Sequence, residues 1–371
     1  MSTIAYLCLY IMAAKKDIRK LSEQELISLF TQNGEAAFRA RQVYQWLWQK
    51  RSLNFAEMTN LSKELRNFLE EHFSILPVNI SEKQISRDKT IKCAMKLHDG
   101  YVVESVLIPA GKRMTACISS QVGCSLTCKF CATGKLKRMR NLNADEIFDQ
   151  VVLMHETATE HYGNKLSNIV YMGMGEPLLN YSEVMKSIQK ITSPEGLGMS
   201  PQRITVSTAG VAKMIHTLAD DNVRFNLALS LHAANDGKRN YIMPINETNS
   251  LDNLQTALKH FSDKTGTRVT LEYIAFHEFN DSTKDAIELA DFCKKIKAKV
   301  NIIEYNPIDE GEFRQTSPER LSNFRSILEK NGVVVNVRRS RGKDIDAACG
   351  QLANKNKLAT ENQPNINIKK S

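Results

Sequence analysis

Three cysteines fall within eight residues, in Cys124-Ser-Leu-Thr-Cys128-Lys-Phe-Cys131. Three thiolates at this spacing can wrap one face of a cubane iron–sulfur cluster and ligate three of its four irons. No fourth cysteine or histidine stands at compact ligand spacing. A structural zinc site normally closes with four ligands, so zinc fits poorly. The fourth iron of a cubane would stay open to a substrate. Phe130, between two of the ligands, is expected to shield such a cluster from water, which bears on its potential.

The elements that must position this loop read as alternating strands and helices. Apolar strands are expected at 167–172, 203–207, 224–231, 268–276, 300–305 and 333–338, with helical segments between them. The clearest helix starts at Asn143, with Glu146 three residues on and an apolar stripe of Ile147, Val151 and Met154. Such repeats imply a parallel sheet with right-handed crossovers and chemistry at the C-terminal strand ends. Ahead of the loop, 90–97 and 101–108 flank His98-Asp99-Gly100, a hairpin signal, and a third strand is expected at 114–120. Residues 23–31, 36–50 and 61–73 carry apolar residues at helical spacing, so 17–80 reads as a small helical domain. Its Arg39, Arg41, Lys50 and Arg51 could touch RNA or simply be solvated.

Several polar residues follow strands. Val170-Tyr-Met-Gly-Met-Gly-Glu-Pro177 enters a Gly-rich turn, where glycine permits positive φ and close backbone approach. Ser207, Ser230, His232 and Asn306 are also at strand ends. One such residue is more often a cap than a ligand; several at one rim favour a binding site.

The net charge of +9 suits a polyanionic partner, although a generally basic chain reads as well on charge alone. No stretch approaches the ~20 apolar residues of a membrane span. The apolar run Ala5–Ala14 precedes Lys15 and Lys16, the reverse of a secretory signal, so a cytoplasmic protein is expected. Residues 1–16 read as an N-terminal extension, with Met12 a candidate start. In a reducing cytosol the eight cysteines are not a disulfide framework. Cys93 and Cys293 read as buried thiols, and Cys8 carries no assignment. The Asn- and Lys-rich tail, 353–371, is expected to be disordered.

The Cys-x3-Cys-x2-Cys loop after a strand resembles the radical S-adenosylmethionine (SAM) superfamily. Nearly the whole chain, from about Leu21 to Leu352, is similar to the RlmN/Cfr family of RNA methyltransferases. The matching blocks are Val103–Pro109, Cys117–Cys124, the cluster loop through Thr133, Gly173–Asn180, Ser230–His232, Met243–Asn246 and Asp344–Leu352. Lys137-Arg138 departs from the pattern, standing where many members carry glycine and an aromatic or apolar residue.

The resemblance implies an α/β fold, a partial (β/α)6 barrel over 81–352 with a β-hairpin extension, and an RNA-binding role for 17–80. It implies a [4Fe–4S] cluster on Cys124, Cys128 and Cys131, and SAM bound by Gly175, Glu176, Ser207, Ser230, Leu231, His232 and Asn306. It further implies that Cys349 carries a methyl group, Cys117 resolves the RNA adduct through a transient disulfide, and Glu104 accepts a proton. Two SAM molecules per turnover would methylate C2 of adenosine in 23S rRNA and in tRNA. A flavodoxin-type electron donor and a monomeric enzyme are expected. Cys349 lies between Gly342 and Gly350, in a loop that could swing over the cluster. Basic residues flank both loops: Lys129, Lys135, Lys137, Arg138 and Arg140 at one, Arg338, Arg339, Arg341 and Lys343 at the other. Phosphate contacts there would position RNA without reading sequence. Two other readings are a Cfr-like enzyme methylating adenosine C8 and a non-catalytic iron–sulfur or zinc RNA-binding protein.

Overall fold

A computed structural model describes residues 15–355. The expectations for 1–14, Met12 and Cys8 included, and for 356–371 lie outside the described residues. The chain divides into two compact units. The first takes in 15–77 and also Gln189–Met199, a segment that the sequence pattern leaves in the catalytic part. Its helices are α1 (Glu23–Gln32), α2 (Ala37–Trp48) and α3 (Lys63–His72). Ser22 and Glu25 close a capping box on α1, and Ser62 caps α3, so both helices begin where unpaired N–H groups find a side-chain oxygen. Leu26, Phe30, Val43, Leu47 and Leu69 form its buried face.

The second unit is built on one ten-stranded sheet in which neighbours in space are neighbours in sequence. The strands are β1 (Asn79–Ile85), β2 (Ile91–Lys96), β3 (Val102–Ala110), β4 (Arg113–Cys117), β5 (Asn168–Tyr171), β6 (Ile204–Thr208), β7 (Asn226–Ser230), β8 (Val269–Ala275), β9 (Ala298–Glu304) and β10 (Val335–Arg338). β1 to β4 pair antiparallel, and β4 to β10 pair parallel. The β-hairpin extension continues the barrel sheet through β4, the strand that ends in Cys117. β1 has no clear period in its sequence, because its residues alternate poorly and it lies at the sheet edge.

The crossovers carry α4 (Ala144–Tyr162), α5 (Tyr181–Thr192), α6 (Ala212–Asp220), α7 (Asp236–Ile242), α8 (Leu251–Thr265), α9 (Thr283–Lys294) and α10 (Pro318–Lys330). Glu146 accepts the Asn143 N–H at 2.9 Å, the start predicted for α4. α4 ends at Gly163, whose φ of 62° suits glycine. β8 is buried along its whole length, as a central parallel strand covered on both faces should be. Among the described residues no helix is long and apolar enough to cross a membrane.

Candidate active site

The parallel strands β5 to β10 present their C-terminal ends to one cavity of about 160 Å³. Met172 and Gly173 follow β5, Ser207 and Thr208 end β6, and Ser230 ends β7 with His232 just beyond. Ile274, Ile303 and Arg338 come from the ends of β8, β9 and β10. Cys124, Cys128 and Cys131 line the same cavity. A second cavity shares Cys131, Met172, Gly173, Ile303, Arg338, Cys349 and Gly350 with the first and adds Cys117.

The cysteine loop is tight because two glycines allow backbone to meet backbone. A Cβ on Gly123 would stand 2.2 Å from the Lys137 carbonyl oxygen, and one on Gly134 would stand 2.9 Å from the Cys128 oxygen. Residue 137 thus meets Gly123 through its main chain, whatever its side chain. Phe130, between Cys128 and Cys131 in sequence, is buried, with its ring edge-on to His232 at 4.6 Å and tilted to Phe276 at 5.7 Å. It belongs to an apolar cluster with Ile242, Met243, Ile274 and Tyr305 that keeps one side of the loop dry.

Burial pushes the Cys128 thiol well above its ordinary pKa, and the neighbouring Cys131 and Cys124 push it further. Burial also raises Cys131, opposed by N–H groups of Gly134 and Thr133 and by the Thr133 hydroxyl. Crowded thiols of this kind fit a ferric–ferrous core, which removes the protons and supplies the missing positive charge. Among the described residues no His, Cys, Asp or Glu group converges as a single metal ion requires.

The Gly-rich turn is zipped onto residues 118–121. Gly173 N donates to Ile118 O, Met174 N to Ser119 Oγ at 2.8 Å, and Glu176 N to Gln121 Oε1 at 2.9 Å. A Cβ on Gly173 would lie 2.7 Å from Ile118, and one on Gly175 would lie 2.5 Å from Gln121 Cβ. The glycines therefore serve this backbone contact first. Glu176 lines the cavity, but its carboxylate already ties its own turn to the end of β6. Oε1 accepts the Leu178 N–H at 3.0 Å, and Oε2 accepts the Ala209 N–H at 2.7 Å. Burial raises its pKa, against those hydrogen bonds.

His232 has a positive φ of 56° and accepts the Ile274 N–H on Nδ1 at 3.0 Å. Burial pushes its pKa down to about 3. The ring is neutral, with its proton on Nε2. Gly175, Glu176, Ser207, Ser230 and His232 thus meet at one cavity, whereas Leu231 and Asn306 do not line it. Leu231 is wholly buried behind the wall. Asn306 gives its Nδ2 to Cys349 O at 3.3 Å and keeps a buried Oδ1 with no partner.

Cys349 is exposed toward both cavities, while Cys117 is buried. Burial pushes the Cys117 thiol up to about 12; Cys349 adds to this and Arg338 opposes it. Cys349 is raised by desolvation and lowered by Arg338, with Glu272 acting upward. Arg338 is in turn held by Glu272 at 3.3 Å. From sequence Arg338 counts among phosphate contacts, and Glu272 carries no signal beyond an interruption in an apolar strand.

The loop carrying Cys349 is bolted down. Ala132 N donates to Gly350 O at 2.7 Å, and Thr133 Oγ1 to Leu352 O at 2.6 Å. Asp344 accepts from Ser86 Oγ at 2.5 Å and from Arg87 N at 3.1 Å. The loop that could swing is here docked on the cluster loop at one end and on the turn between β1 and β2 at the other. Residues 353–355, placed in the tail from sequence, are held too. Glu104 Oε2 accepts the N–H groups of Ala353 and Asn354, at 2.9 and 3.1 Å. Glu104 is fully buried beside Lys92 at 3.3 Å and lines neither cavity.

The flanking cations divide. Arg140 holds Glu146 through two nitrogens, at 2.7 and 2.8 Å, and Asp99 at 2.6 Å. Lys129 pairs with Glu312 and lies over the Tyr241 ring, Lys135 is near Glu310, and Lys343 pairs with Glu304. Arg341 reaches Asp88 at 4.0 Å, and Arg138 donates to Asn141. Cys93 and Cys293 are buried, and burial pushes both thiols up to about 12. None of the seven described cysteines forms a disulfide.

Residues 16–75 match the ribosomal RNA large subunit methyltransferase N-terminal domain, and residues 118–290 match the radical SAM superfamily. A protein of Cytophaga hutchinsonii named "Probable dual-specificity RNA methyltransferase RlmN" is 63% identical over 339 residues, covering 91% of this chain and 93% of its own. A protein of the same name from Salinibacter ruber is 44% identical, covering 91% and 94%. The crystal structure of a radical SAM methyltransferase from Sphaerobacter thermophilus superposes with a TM-score of 0.85 at 38% identity, covering 91% of this chain and 99% of that one. With the three-cysteine loop at the mouth of a partial (β/α)6 barrel, these likenesses make the chain a member of the RlmN family of RNA methyltransferases, radical SAM enzymes that use a [4Fe–4S] cluster and SAM.

Proposed function

We propose that the protein methylates C2 of adenosine, in 23S rRNA at the peptidyl transferase centre and in tRNA at the adenosine 3′ of the anticodon, by way of a methyl group carried on Cys349. The observation that most supports this is the placing of Cys349. It opens onto the cavity of Cys124, Cys128 and Cys131 and also onto the adjoining cavity of Cys117. Adenine C2 is electron-poor and cannot displace a methyl group, whereas a thiolate can.

When bound on Cys124, Cys128 and Cys131, the cluster and two SAM molecules per turnover supply the methyl group and the radical chemistry. Cys349 takes the methyl group as a thiolate, a charge that Arg338 favours. The methyl carbon, having lost one hydrogen atom to the radical, bonds to adenine C2 and tethers the RNA to Cys349. The C2 proton then leaves and the carbon–sulfur bond breaks. The sulfur left one electron short bonds the Cys117 thiolate as a disulfide, the surplus electron returning to the donor side and the freed methylene taking a proton to become the methyl group. Glu104 is the proton acceptor of this reading; its Oε2 is held by the Ala353 and Asn354 N–H groups, and its Oε1, beside Lys92, is the oxygen without a hydrogen bond. Glu176, Ser207, Ser230 and His232 contact SAM at the strand ends, with Gly175 shaping the turn. Leu231 supports the wall, and Asn306 reaches SAM through its unpartnered Oδ1 or holds the Cys349 loop.

The first unit (residues 15–77 with 189–199) is proposed to bind RNA. Arg41 is exposed on α2, Lys50 lies 3.7 Å over the Trp46 ring, and Phe38 is exposed beneath Arg39. These are groups that stack on bases and neutralise phosphates. The reading carries with it a monomer in the cytoplasm, fed by a flavodoxin-type donor.

The test is anaerobic reconstitution followed by incubation with SAM, reductant and RNA lacking the modification. Mass spectrometry should find 5′-deoxyadenosine and 2-methyladenosine. Cys349→Ala should abolish methyl transfer and keep RNA binding. A methyl group on C8, or neither product from a protein with its cluster intact, would refute the proposal.

A further inference from the structure

Arg239 projects inward from α7 and is wholly buried. Its guanidinium grips four neutral oxygens. Nε donates to Leu231 O at 3.1 Å and Nη1 to Asn246 Oδ1 at 2.6 Å. Nη2 donates to Ala209 O at 2.6 Å and Ser230 O at 3.1 Å. Ala209 and Ser230 are themselves walls of the cluster cavity. The helix that carries Arg239 is docked on the cysteine loop, because Lys129 N donates to Ile242 O at 3.0 Å.

A cation this deep normally has a carboxylate beside it, because burying an unpaired charge is costly. No carboxylate takes that place. Asp236 is one hydrogen bond removed, reached through the Asn246 amide. Asp236 Oδ1 is occupied by the Asn246 amide and the Leu251 N–H. Burial pushes the Arg239 pKa down to about 10, the mark of a charge lacking its partner.

We propose that Arg239 is the built-in countercharge of the cluster, a positioning residue that fastens the ends of β6 and β7 and raises the cluster's reduction potential. This rests on Cys124, Cys128 and Cys131 holding the cluster. Three thiolates outweigh the dipositive core of a [4Fe–4S] centre by one charge, and an electron from a low-potential donor makes the excess two. A fixed cation favours the second state over the first. At a separation of about 10 Å and an effective dielectric constant of about 20, one unit charge changes that equilibrium by more than tenfold.

The experiment compares wild type, Arg239→Lys and Arg239→Gln as full chains, reconstituted anaerobically without SAM. Iron content, the melting transition of the iron-free protein and the midpoint potential from an EPR-monitored reductive titration are read for each. Arg239→Gln should be harder to reduce by at least tenfold in the ratio of the two states, about 59 mV for one electron. Arg239→Lys should stay within threefold of wild type. If Arg239→Gln loses its melting transition, Asn246→Asp carries the same test. It leaves the guanidinium in place, sets a carboxylate against it, and should lower the potential likewise. Equal potentials in the charged and neutralised proteins, or a Lys variant that shifts as far as the Gln variant, would overturn the proposal. A wild-type protein that takes up no iron would sink the cysteine assignment and this inference together, whereas iron uptake with a potential indifferent to residue 239 sinks only the inference.

Discussion

Replacing Gly175 by alanine separates two reasons for a glycine in the turn after β5. If glycine is there only to let a ligand approach, the ligand-free protein should not notice the change. The structure says otherwise. Gly175 has φ of 94°, and the new Cβ would stand 2.5 Å from Gln121 Cβ and 2.9 Å from Gln121 N. Forcing an L-residue into a left-handed conformation costs about 1–2 kcal/mol. Overpacking against a fixed neighbour adds about 1–3 kcal/mol. Relief requires the turn to move off residues 119–121, weakening the bond from Glu176 N to Gln121 Oε1 at about 1 kcal/mol.

The sum is about 3–6 kcal/mol. Gly163→Ala is the control, since Gly163 has φ of 62° and nothing within 4 Å of its would-be Cβ. It should cost only the conformational part, about 1–2 kcal/mol. Urea unfolding of the iron-free proteins reads both. Equal destabilisation by the two substitutions, with SAM binding lost only in Gly175→Ala, would refute the packing argument and return the glycine to the ligand.

Other perturbations follow from the electrostatics. Arg338→Gln should raise the Cys349 thiol pKa and Glu272→Gln should lower it, read from the pH dependence of Cys349 alkylation by mass spectrometry; shifts of the same sign would contradict the geometry. His232 has a folded pKa of about 3, below the ~6.5 of an unfolded histidine, so the unfolded chain binds the extra proton between those values. Its contribution to stability is full above pH ~6.5 and is lost as pH falls toward 3, with a slope of at most about 1.4 kcal/mol per pH unit. His232→Gln should flatten the pH dependence of unfolding in that window, and an unchanged slope would count against a neutral buried ring. Lys92→Met leaves the buried Glu104 carboxylate without its cation and should cost about 3–5 kcal/mol in a denaturant titration; a neutral result would show that the Ala353 and Asn354 N–H groups suffice.

Much of this was legible in the sequence because period and punctuation speak for strands buried on both faces. Val269–Ala275 and Asn226–Ser230 fall inside the expected 268–276 and 224–231. The start of α4 was marked by Asn143 and Glu146. Asn79–Ile85 was not legible, since an edge strand with mixed polar residues has no apolar period to read. Strand-end position brought out Ser207, Ser230 and His232, but could not tell a residue facing the cavity from one behind it, as with Leu231 and Asn306. Arg239 was illegible for a different reason. A lone arginine on a short helix signals solvent, and only the four carbonyl and amide oxygens brought together from three segments show it turned inward.

The bond from Thr133 to Leu352 spans 219 residues. A ribosome adding roughly 5–20 residues per second needs about 11 to 44 s to make that stretch. Through nearly all of that interval the three-cysteine loop has been made, but Gly350, which accepts the Ala132 N–H, and Cys349 beside it do not yet exist. The sheet can grow strand by strand in the order of synthesis, yet the wall over the cysteines is made only after all ten strands. Until residues 343–352 are made, the three-cysteine loop stands without the cover that Gly350 and Leu352 complete, so in the order of synthesis the sheet precedes its cover.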